Sequence, residues 1–87
     1  MAVELEKDKK GHLYAEIENL RVTFIPANVR ERSKNWSDSD VIRVQAYKNT
    51  EGKGLHRGAE FPVSGEEELE KLLVTIRGLY FSGNHSS

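Results

Sequence analysis

Apolar residues alternate with polar ones in this chain up to Val63 and recur at helical spacing after it. Leu69, Leu72, Leu73 and Ile76 fall three and four residues apart, the period of one helix face. Earlier, the apolar sets are Leu13, Ala15 and Ile17, then Ile42, Val44 and Ala46, then Ala59, Phe61 and Val63. Residues two apart share one face of a strand, so each set describes a half-buried strand. The expected fold is α+β: a curved antiparallel sheet of four to five strands followed by one C-terminal amphipathic helix packed on one face. Ser64 and Glu67 have capping-box spacing. Glu66, Glu67 and Glu68 suit the positive end of a helix dipole. Gly78 is the natural stop, which leaves Leu79, Tyr80 and Phe81 as an apolar trio beyond the helix.

The chain has 87 residues, enough for one domain. That domain is expected over residues 11–81. A charged arm precedes it at 1–10, either loose or a short edge strand, and a disordered polar tail follows at 82–87. Near Glu18 and Asn19 the alternation changes parity, because Leu20, Val22 and Phe24 become the apolar set; a hairpin or a bulge would produce this. Pro26 ends the stretch. Residues 27–40 are almost wholly polar, a connection of about 14 residues, and loops of that length usually carry function or are disordered. Trp36 sits within it. It either folds back onto the core, the option its large area favours, or stands exposed as a stacking or anchoring residue.

Composition excludes several classes. There is no cysteine, hence no disulfide framework and no thiolate metal site. His12, His56 and His85 lack metal-ligand spacing, so no metal is expected. The Gly52-Lys53-Gly54 stretch lacks the spacing and the Ser or Thr of a phosphate loop, and no cofactor is implied. No nucleophile, base and acid stand in a recognisable arrangement, so the chain does not read as an enzyme. No apolar run approaches the ~20 residues of a membrane span. The charged start does not read as a signal peptide, and the expected location is cytoplasmic.

Net charge is −1, but residues 21–57 carry eight Lys and Arg against four acids. That surplus suits a positive face for phosphates. Arg21, Arg43, Lys48, Lys53 and Arg57 supply the charge, and Tyr14, Trp36 and Tyr47 are aromatic platforms. Charge along a groove with aromatics for stacking is how single-stranded nucleic acid is held. A sheet with only one covering helix also leaves apolar surface for a second copy.

The segment Val41-Ile42-Arg43-Val44-Gln45-Ala46-Tyr47, the Glu51-Gly52 loop, Arg57-Gly58, a short strand and Ser64 opening a helix form a pattern over residues 41–77. This pattern resembles the core of the positive-cofactor-four family of transcriptional coactivators. The resemblance implies a homodimer that binds single-stranded DNA on its sheet faces, with a role in transcription or DNA processing and with helices pairing the subunits. Residues Leu72, Ile76, Leu79, Tyr80 and Phe81 would then form the interface. The competing expectation is a small protein-binding or inhibitor module, phage-borne or accessory, that grips a protein partner with the Trp36 loop and the Arg43 face.

Overall fold

The computed structural model describes residues 4–29, 35–49 and 54–85. Five strands form one antiparallel sheet in chain order: β1 (Glu6–Lys7), β2 (Leu13–Ile17), β3 (Leu20–Ile25), β4 (Asp40–Ala46) and β5 (Ala59–Val63). One helix, α1 (Glu66–His85), follows. The α+β layout read from the sequence is the observed one. Glu6 and Lys7 pair with Tyr14 and Leu13, so part of the charged arm is the edge strand of the sheet.

The parity change is the work of a two-residue turn. Ile17 pairs with Leu20, and Glu18 takes a φ of 56°. Positive φ at the first turn position is what tight hairpins use to match strand twist. Paired residues share a face, so the register carries every alternating set to one side of the sheet. Ala15 opposes Val22, Val22 opposes Val44, and Val44 opposes Ala59. Phe24, Ile42 and Phe61 form a parallel row.

This apolar face is open. Leu13, Ile17, Leu20 and Phe24 are exposed. Among the described residues, the buried apolar side chains are Ile25 and Val41, at 2% and 0% exposure, and both lie on the opposite face in register with Pro62. Asn35 and Trp36 line the same cleft as Arg43, Gln45 and Glu60 on that second face. A short 3-10 turn, Ala27–Val29, opens the connection, and the Ala27 amide donates to Asp40 Oδ1 at 2.9 Å.

The helix departs from expectation in three ways. It does not close the sheet: none of its residues is buried, and its main contact is with β5. The radius of gyration is 14.6 Å, against about 12 Å for a compact chain of this length, as a projecting helix requires. It also runs past Gly78, so Leu79, Tyr80, Phe81 and residues 82–85 are helical and not a tail. A mid-helix glycine costs only about 1 kcal/mol, too little by itself to stop a helix. Finally, Gly65 caps the helix through its carbonyl to the Leu69 amide. The Ser64 hydroxyl donates to Glu68 Oε2 at 2.5 Å, not to Glu67, because Glu68 is the third residue after that cap.

Candidate nucleic-acid interface

The polar face is built of cross-strand rows. Tyr14, Thr23, Arg43 and Glu60 oppose one another across β2 to β5. Glu16, Arg21 and Gln45 form the next row. Opposite charges in such rows attract directly. Arg43 Nε donates to Glu60 Oε2 at 2.7 Å, and Arg21 donates to Glu16 Oε2 at 3.3 Å through both Nε and Nη2. Two of the expected phosphate-binding cations are therefore already paired, which alternation alone does not reveal.

The aromatics are engaged as well. The Arg21 guanidinium lies 4.2 Å over the Tyr14 ring and 5.8 Å from the Tyr47 ring. Arg21 Nη2 donates to the Tyr47 hydroxyl at 3.0 Å, and that hydroxyl donates to Glu16 Oε2. The flat, half-buried guanidinium is held between two rings and a carboxylate. Tyr47 anchors it.

Trp36 does not lie in the core. It is 44% exposed and adopts a φ of 57°, a left-handed conformation that is a rare outlier for a bulky residue. It lines an open cleft of about 500 Å³ together with Asn35, Arg43, Gln45, Arg57, Gly58 and Glu60. The preference for burial fails because its turn holds the backbone where the indole faces the cleft.

Arg57 reaches this cleft through a bulge. Tyr47 bridges Leu55 while Val44 pairs with Ala59, so three steps on β4 face four on the returning chain. One extra residue is accommodated, and bulges of this kind re-aim a side chain. Gly58 absorbs it with a φ of 75°. Gln45 Nε2 and the His56 carbonyl close the bulge with a 3.1 Å hydrogen bond.

Lys48 lies apart from this cleft, beside Glu18, Asn19, Tyr47 and Asn49. Lys53 lies outside the described residues, as do Arg30, Arg32, Lys34 and the Glu51-Gly52 pair. On the helix, Leu72, Ile76, Leu79 and Tyr80 share one stripe. Phe81 sits about 100° round from Tyr80 and packs on His85 at 4.3 Å between ring centroids. Sequence reasoning missed the basic turn at residues 7–10, which lines a second cleft with Arg21 and Arg43. The signal was three lysines in four residues, discounted because neighbouring acids cancel them.

Among the described residues no cluster of His, Asp and Glu has the makings of a metal site, and no helix is long and apolar enough to cross a membrane. No family model, curated protein or solved structure matches the chain.

Proposed function

We propose that this protein binds single-stranded nucleic acid on the polar face of its sheet and works as a homodimer joined through α1 and the open apolar face. The observation that carries the reading is the exposed Trp36 beside Arg57 and Arg43 in one cleft. An indole and guanidinium groups around a shallow groove suit a base and its phosphate. The open groove also suits an extended strand better than an enclosed small molecule. The resemblance to the positive-cofactor-four pattern points the same way and carries with it a role in transcription or DNA processing.

Apolar surface supports the dimer reading. Leu73, Ile76, Leu79 and Tyr80 lie exposed on the helix, and Leu13, Ile17, Leu20 and Phe24 on the sheet. Exposed apolar surface of this kind marks interaction sites. A standard interface takes about 800 Å² per partner, roughly a tenth of a small protein's surface, and the exposed total is 7372 Å². The same surface favours the second reading, a protein-binding module, if the partner is a different chain.

A titration of fluorescently labelled oligo-dT separates the two. The nucleic-acid reading expects binding at low salt that weakens steeply as salt rises. No binding at low salt refutes it and leaves the protein-binding module.

A further inference from the structure

The second cleft has features that the Trp36 cleft does not explain. Lys7, Lys9, Lys10, Arg21 and Arg43 converge there around Asp8, in an open cavity of about 480 Å³. Five cations face one carboxylate in a protein whose net charge is −1.

That carboxylate belongs to the turn. Asp8 Oδ1 accepts the Lys10 and His12 amides at 2.9 Å each. Asp8 and His12 also pair through the backbone at 2.9 Å, and the Gly11 amide donates to the Asp8 carbonyl at 3.0 Å. Oδ2 lies 3.6 Å from His12 Nδ1. Burial raises the Asp8 pKa, but the His12 and Lys10 amides, with the charges of His12 and Arg43, outweigh it and hold the carboxyl below its ordinary range. Asp8 is thus a fixed anion spent on locking the turn. The lysines sit on a turn held by these hydrogen bonds, and a preorganised backbone lowers the cost of association.

The cations divide into two kinds. Arg21 and Arg43 already hold Glu16 and Glu60. Lys7, Lys9 and Lys10 have no carboxylate within ion-pair distance among the described residues. An ammonium group is a compact point charge suited to phosphate. Arg43 lines both clefts, so a chain of phosphates leaving the Trp36 cleft meets the lysine turn next.

We infer that the β1–β2 turn is a phosphate-binding subsite in which Lys7, Lys9 and Lys10, held around Asp8, take phosphodiesters of the strand whose bases lie in the Trp36 cleft. Its ligand rests on the nucleic-acid reading, while its phosphate chemistry does not.

Two probes test this on the full chain: inorganic tripolyphosphate followed by amide NMR, and oligo-dT followed by anisotropy. Wild type, a K9Q/K10Q double variant and R57Q are compared, with thermal melts to check folding. Tripolyphosphate is expected to shift amides 7–12 saturably. K9Q/K10Q should weaken it at least fivefold and R57Q should leave it unchanged. For oligo-dT, K9Q/K10Q should lower the salt slope by about two contacts. Absence of a saturable shift at 7–12, or an unchanged oligo-dT slope in the double variant, overturns the subsite. Tripolyphosphate binding at 7–12 with no oligo-dT binding by wild type keeps the phosphate subsite and refutes the nucleic-acid reading alone.

Discussion

Replacing Gly58 with alanine tests whether the bulge is what aims Arg57 into the cleft. Gly58 has a φ of 75°, and a left-handed alanine costs about 1–2 kcal/mol. A Cβ there would also fall inside contact distance of the Val44 carbonyl oxygen and 2.7 Å from Gln45 Cγ. The carbonyl belongs to a paired strand and cannot yield without breaking the ladder, so overpacking adds about 1–2 kcal/mol. The total, about 3 kcal/mol, lowers the melting temperature of a domain this size by roughly 12–24 °C. Gly11 is the control. Its φ is 85°, yet nothing lies within 4 Å of a Cβ built on it, so Gly11→Ala should cost only the backbone share. Both variants are measured by calorimetry and by oligonucleotide affinity. Equal losses in the two would refute the steric account of the bulge. An unchanged affinity in a folded Gly58→Ala protein would refute its role in placing Arg57.

Ile76→Asp should convert the dimer to monomer in sedimentation experiments, because a carboxylate in an apolar interface has no partner; a wild type that is monomeric at high micromolar concentration removes the premise. Arg57→Ala should lower the oligonucleotide salt slope by about one contact. Arg43→Ala should weaken binding further at the same salt, because it removes a cation that offsets Glu60 on the face. Asp8 has a folded pKa below its unfolded one, so its stabilisation is full above the unfolded value and is lost as pH falls through the folded value. Urea midpoints should therefore drop below about pH 4 in wild type and drop less in Asp8→Asn.

Strands β2 to β5 were legible because each has one apolar side, whereas the two-residue β1, Glu6–Lys7, carries no such signal. Even the parity change at Glu18 and Asn19 was written in the alternation, since a two-residue turn demands it. The face that would be covered was not legible. Alternation marks Ile42, Val44 and Ala46 as inward, yet burial falls on Ile25 and Val41 of the opposite face, because alternation separates two faces without saying which one is covered. The helix end was misread for a related reason. Gly78 is a local signal, and its cost of about 1 kcal/mol is too small to end the helix by itself. For the site, residue types were visible but their pairing was not. Arg21 with Glu16 is a neighbour in space through the hairpin, and Arg43 with Glu60 through the β4–β5 register. The exposure of Trp36 depends on a left-handed turn that composition does not encode.

The protein contains a single tryptophan, and it stands in the cleft at the centre of the proposed function. Its fluorescence, titrated with oligo-dT at low and high salt, is the most direct test. The account expects saturable quenching at low salt that disappears as salt rises, and Trp36→Phe should bind more weakly with an unchanged melting temperature. Tight oligonucleotide binding that leaves the Trp36 emission untouched, or no binding at either salt concentration, would contradict it.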